Sequence, residues 1–285
     1  MSAQTGAARM RRTTGSRVAG EGRMRAAVHA EWTKVRTLPS TWWLLVGAVV
    51  LTIAVGAATT AALSAHDCPT PRGCHEDIVK QSLTGVWLGQ AAVVVFGALA
   101  ISAEYGTGTI RASLTALPVR LRLLAAKAVV VAGLSLAAGA LGVLGSLGVG
   151  RLLLPGGGFT AENGYPPLSL ADGPTLRAAV GTVLYFGLVA LLALGVGAAV
   201  RDTAAVVTSV LGLLYAFPLL VGLIEDETWR ERIERFSPAS AGLAVQATKG
   251  LENLAIGPWA GLGVLAGYAA AALVLGGWLL RARDA

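Results

Sequence analysis

Apolar residues in this chain are gathered into six uninterrupted runs: Trp42–Leu63, Leu83–Ala103, Ala128–Gly150, Ala178–Val200, Ala204–Ile224 and Trp259–Leu280. Each is roughly 21 to 23 residues long, enough at about 1.5 Å per residue to cross the ~30 Å hydrocarbon core of a bilayer as a helix. None contains Asp, Glu, Lys, Arg or His. The pattern predicts an all-α polytopic membrane protein with six transmembrane helices in a transmembrane domain spanning residues 39–285.

Before the first run the pattern differs. Residues 1–23 are Ala, Gly, Ser, Thr and Arg with little to bury, and read as a disordered basic tail. Over residues 24–38, Met24, Val28, Val35 and Leu38 share one helical side with Ala27 and Trp32 close by, while Arg25, His29, Lys34 and Arg36 form a basic flank. Glu31 interrupts the apolar stripe near its middle. This predicts an amphipathic helix lying in the membrane interface. Pro39 and Ser40 break and restart the chain, with Ser40 the expected N-cap of the first span and Trp42 and Trp43 at headgroup level.

The largest polar connection on the same side of the membrane is Glu104–Arg122, EYGTGTIRASLTALPVRLR. It sets a glutamate at the end of the second run, glycines at 106 and 108 that would allow a partner close, a helix-compatible stretch from Thr109 to Leu117, and a stop at Pro118. Ile110, Leu114 and Leu117 recur at helical spacing, leaving Arg111 on another face. An ordinary charged loop and a docking element fit this stretch equally. Because a helix C-terminus disfavours an anion, Glu104 calls for a compensating cation on this chain or a partner.

Composition agrees with the pattern: 54% of residues are hydrophobic, 14% are charged, and the mean hydropathy is +0.65, too apolar for a water-facing surface. The formal charge of +7 is not a nucleic-acid footprint. Most of the 23 Lys and Arg fall in the N-terminal segment, the 104–127 stretch, Arg201 and the C-terminus, and most of the 16 acids fall in the opposite loops. The positive-inside rule therefore predicts that both termini are cytoplasmic.

The loops of the other side are Ser64–Ser82, Arg151–Arg177 and Glu225–Pro258. The first holds Cys68 and Cys74 in HDCPTPRGCHED. In an oxidising compartment a Cys68–Cys74 disulfide is the preferred reading. A metal site using His66 and His75 as well, or two free thiols, are the alternatives. The third loop opens with EDETWRERIERF, whose Trp229, Ile233 and Phe236 predict a short interfacial helix, followed by a second helical segment dipping back toward the membrane. Glycines at 133, 139, 142, 145 and 148 in the third run, and Gly263 with Gly267 in the sixth, permit close helix approach within or between subunits. Pro218 is expected to kink the fifth run or free a carbonyl there, as a gate or a static packing device.

Enzyme chemistry has no evident seat. There is no GxxxxGK[ST] loop, CxxC pair or HExxH motif, and no titratable group at depth to drive a proton-coupled transporter. The chain is read as neither an enzyme nor a cofactor or metal binder, so any energy must come from elsewhere.

EWTKVRTLPSTWW at Glu31–Trp43, paired with EYGTGTIRASLTALPVR at Glu104–Arg120 in a six-span layout, resembles the ABC-2 type permease family, the membrane subunits of ATP-binding-cassette exporters. The resemblance covers about residues 24–281. It implies a multi-pass protein of the bacterial inner membrane that pairs with a second permease copy, a homodimer rather than a heterodimer, and carries two ATPase subunits that bind ATP and Mg. Residues 24–38 would be the elbow helix, with Glu31, Trp32, Lys34 and Arg36. Glu104, Gly106, Thr107, Gly108, Thr109, Arg111, Pro118 and Arg120 would couple it to the ATPase, and Gln90 and Pro218 would lie near the translocation path. An uncharged lumen leans toward lipid-like, peptide-like or amphipathic substrates. A non-transporting scaffold or regulatory subunit, and a passive channel or carrier, are the competing readings.

Overall fold

The computed structural model describes residues 22, 24–65, 76–106, 108 and 120–282. The regular structure among them is helical, with no strand. Helix α1 covers residues 24–37. The helices long and apolar enough to cross a membrane are α2 (Pro39–Ala61), α4 (Val86–Gly106), α5 (Arg120–Leu153), α6 (Gly173–Val200), α7 (Thr203–Val221) and α10 (Pro258–Ala282). Between them lie the short α3 (Ile78–Ser82), α8 (Glu227–Phe236) and α9 (Pro238–Leu243). In hydrocarbon no water is available to the backbone, so each span must satisfy its own N–H and C=O groups, which the helix does.

The starts of α2 and α5 differ from the sequence reading in ways that bear on the packing. Helix α2 starts at Pro39, with Leu38 as its N-cap and no side-chain cap bond, so Ser40 is not the cap. Proline suits the first helical position because the N–H it lacks would have no partner there. Helix α5 starts at Arg120, well before its apolar run, and its 34 residues give a rod of about 51 Å. Arg120, Arg122 and Lys127 are thus helical residues and not a loop.

Helix α6 is the hub, packed against α4, α5, α7 and α10. Of its most apolar stretch 61% is buried, against 17% for the peripheral α7. The hub is possible because backbones approach closely. A Cβ built on Gly97 of α4 would lie 2.6 Å from the Ala190 carbonyl oxygen of α6, and one on Gly276 of α10 would lie 2.5 Å from that of Gly195. Small hydroxyls join the remaining contacts: Ser146 of α5 donates to the Thr52 carbonyl of α2 at 3.1 Å.

The glycine patterns divide. Gly139 faces Phe186, Gly142 faces Thr52 and Gly145 faces Ile53, so these three pack α5 inside the bundle. Gly133, Gly148, Gly263 and Gly267 have open space where a Cβ would be.

At the end carrying the longer loops, α8 and α9 form as the sequence predicts. Helix α8 exposes Trp229 and Phe236. Helix α9 and the 3-10 turn Ala244–Gln246 are buried against α6 and α10, where Gly242 sits on the Tyr185 ring and Gly181 receives Val245. Asp77 holds this cap in place. It caps α3 through the Lys80 amide at 3.1 Å and also accepts from the Thr248 hydroxyl at 2.7 Å and the Lys249 amide at 3.1 Å. Arg177 of α6 donates to the Ala247 carbonyl at 2.6 Å. Cys68 and Cys74, with His66 and His75, lie outside the described residues.

Alanine at Gly97 and at Gly263 should act in opposite directions on unfolding in detergent. Gly97→Ala forces α4 from α6 and should destabilise by about 1–3 kcal/mol. Gly263→Ala, in open space, should be neutral or stabilising by up to about 1 kcal/mol through lower backbone entropy in the unfolded chain. A matching loss at both positions would contradict this packing.

Candidate functional site

At the opposite end of the bundle four charged side chains meet in a largely buried cluster. Lys127 enters from α5, Glu104 from the last turn of α4, and Glu31 and Lys34 from α1. The Lys127 side chain is 3% exposed, Glu31 4% and Glu104 12%. An isolated charge at such a depth would be costly, so partners are required. Lys127 Nζ donates to Glu31 Oε2 at 2.7 Å, Glu104 Oε1 at 2.7 Å and the Ala100 carbonyl at 2.9 Å. An ammonium has three N–H donors, and all three are used.

Lys34 closes the cluster from its solvent side, at 2.8 Å from Glu31 Oε1 and 3.0 Å from Glu104 Oε1. Burial by itself would lower the pKa of its ammonium, but the Glu31 and Glu104 carboxylates outweigh burial and hold it above the ordinary lysine value. A raised lysine contributes stability that is complete below its unfolded pKa of about 10.4 and is lost only as pH rises through the higher folded value. The Lys34 contacts are therefore constant across physiological pH. Glu104 Oε1 receives both lysines, while Oε2 is buried without a hydrogen-bond partner.

The end of α4 has further ties. Ser102 and Thr203 hydroxyls lie 2.7 Å apart, joining α4 to the start of α7. The Arg201 guanidinium stacks 4.9 Å from the Tyr105 ring. Arg201 takes a left-handed φ of 67° at the turn between α6 and α7, and Asp202 caps α7 by accepting from the Ala205 amide at 2.8 Å. Arg120 donates to the Leu280 carbonyl at 2.6 Å, fastening the start of α5 to the end of α10. One turn of α4 thus connects, directly or through α5, to α1, α7 and α10.

The structure brings Glu31, Lys34 and Glu104 together and supplies the cation that Glu104 requires. Glu31, which breaks the apolar stripe of α1, does so because that stripe faces Lys127. Trp32 and Arg36 remain exposed and outside the cluster. Gly106 ends α4, and Gly108 has a φ of +72° with its amide donating to the Tyr105 carbonyl at 3.2 Å. Glycine at 108 is explained by that left-handed conformation; no atom lies within 4 Å of a Cβ built there, so packing within the chain does not demand it. Thr107, Thr109, Arg111 and Pro118 lie outside the described residues.

Gln90 and Pro218 are not part of this cluster. Gln90 is fully buried and accepts from the Tyr185 hydroxyl of α6. Tyr215 of α7 donates to the Trp87 carbonyl, and the two rings sit 6.1 Å apart. Pro218 lies in the last turn of α7, where it withholds an N–H from the Leu214 carbonyl.

Lys127, Ser102, Tyr105 and Arg201 are functional candidates that the sequence reading passes over. The available signal was the pair of acids at apolar positions: Glu31 in a stripe and Glu104 at a span end each require a cation within reach.

Substitutions should separate the two lysines. Lys127→Leu leaves two buried carboxylates short of a cation and should cost about 3–5 kcal/mol of unfolding free energy. Lys34→Ala removes a partner that is 42% exposed and, after solvent screening, should cost about 1 kcal/mol or less. Equal effects in a denaturant titration would show that the cluster is not buried as described.

Over residues 27–224 the sequence matches the family model described as ABC-2 family transporter protein, a stretch that begins within α1 and ends just beyond α7. A search of curated proteins finds no match.

Proposed function

Because the chain belongs to the ABC-2 family of transporter proteins, we propose that it is the membrane permease subunit of an ATP-driven exporter and that the cluster around Glu104 carries force between its ATPase partners and its spans. The family is a membrane transport component and not itself catalytic. In this reading the cluster end faces the cytoplasm, as the distribution of Lys and Arg supports. Two copies of the chain form the translocation path, and two separate ATPase subunits bind ATP and Mg and sit against the 104–122 stretch.

The observation that carries the reading is the place of the buried network. Glu104 stands at the last turn of α4 and opens the 104–122 stretch assigned to docking, whose final residues from Arg120 already belong to α5. A displacement imposed there by nucleotide-driven closure reaches α4 through the chain, and reaches α1 and α5 through Lys127. Charge pairs of this burial resist separation by several kcal/mol, so α1, α4 and α5 move together more easily than apart. The Ser102–Thr203 contact extends the motion to α7, and Arg120 extends it to α10. Gln90, with the Tyr185 and Tyr215 hydroxyls near it, provides polar groups beside the path.

The test is ATP turnover by the purified complex of permease and ATPase in liposomes. The permease alone should release no phosphate. The Glu104→Ala complex should assemble and retain the ATPase subunit's basal turnover, but lose the permease-dependent stimulation by about 5- to 150-fold, the range of typical coupling free energies. Full stimulation in Glu104→Ala would refute the coupling role. Absence of any permease-dependent turnover in wild type would favour a scaffold.

A further inference from the structure

We propose that the chain holds one anionic glycerophospholipid in a groove between α5 and the loop leading into α6, with its phosphate on Arg151. This rests on the chain spanning a membrane and is independent of transport. The groove encloses about 380 Å³ and is lined by Leu144, Leu147, Gly148, Leu168, Leu170 and Thr175 among others, with Arg151 at the rim. Its volume falls within the range of about 300–1,000 Å³ common to small-molecule sites.

Three observations select the occupant. First, the groove continues an exposed apolar stripe on α5: Leu141 and Leu144 are 62% and 52% exposed, and Gly148 and Arg151 follow on the same face one and two turns on. In a bilayer that stripe borders acyl chains, and its upper end widens because Gly148 has no side chain and nothing within 4 Å of where one would begin.

Second, Arg151 lies two residues before the end of α5, immediately after the apolar run, which is the depth of lipid phosphates. Its side chain is exposed, and none of the ion pairs among the described residues involves it. Third, Asp172, next to the groove-lining Ala171, is already engaged: it accepts from the Thr175 amide at 3.1 Å and from the Thr175 hydroxyl at 2.8 Å as the cap of α6. The groove therefore offers an apolar channel for a chain and a guanidinium for a phosphate, the combination found where basic pockets between spans bind lipid headgroups. The leaflet is the one opposite the ion cluster.

Native mass spectrometry of the full-length protein in detergent, with added phosphatidylglycerol, tests this. Wild type should retain one lipid per chain. Arg151→Gln should lower retention about fivefold, as expected for one basic residue against an anionic lipid. Gly148→Leu should lower it comparably by filling the groove with the charge intact, and its open surroundings allow it to fold. Arg281→Gln, on the opposite end, should change nothing. Diacylglycerol, which lacks the phosphate, should be retained as weakly as phosphatidylglycerol is in Arg151→Gln. Undiminished retention in either groove variant, equal retention of diacylglycerol by wild type, or displacement of the lipid by inorganic phosphate would overturn the proposal.

Discussion

The Lys127 ammonium is the point on which the rest of this structure depends. Two helices distant in sequence bring acceptors to this α5 side chain: α1 brings Glu31, and α4 brings both Glu104 and the Ala100 carbonyl. Buried charge tolerates no vacancy, since loss of a partner leaves an ion that neither lipid nor apolar side chains can solvate. The requirement that all three donors be met fixes where α1 lies against the bundle. Apolar contacts alone would let an interfacial helix slide along it.

This polar lock sits on a bundle assembled by different means. The spans are held by close approach at glycine, as at Gly97 and Gly276, and by hydroxyls such as Ser146. Such contacts depend on shape and can be re-formed along a smooth face. The cluster end and the loop end thus differ in kind: one is a network of ions that specifies position, and the other is a cap of loops gripped by Asp77 and Arg177. In the proposed coupling, force entering at the first travels along α4, α5 and α6 to the second.

That there are six spans was legible, because hydrocarbon thickness dictates the length of an apolar run and excludes charge from it; the early, charged start of α5 at Arg120 was not. The need for a cation at Glu104 was legible from the helix dipole. Lys127 was not, because a lysine flanking an apolar run reads as a topology signal whether it meets water or a carboxylate. Which of these it meets depends on the continuation of α5 through Arg120 and on the approach of α1, and neither is local. Glu31 looked like a flaw in an amphipathic stripe for the same reason: its buried partner, Lys127, is 96 residues away. Gly108 was legible as a special position, but its reason is a left-handed backbone and not close packing within the chain.

An ion network of this burial makes α1 and the base of α4 one rigid unit. Spin labels at Arg36, exposed on α1, and at Gly106, exposed at the end of α4, would report their separation in the complex with its ATPase, by electron-electron distance measurement in nucleotide-free and ATP-trapped states. A rigid unit gives one distance distribution, unchanged between the two states, which broadens when Lys127 is replaced by leucine. A shift between the two states in the wild-type complex would contradict it.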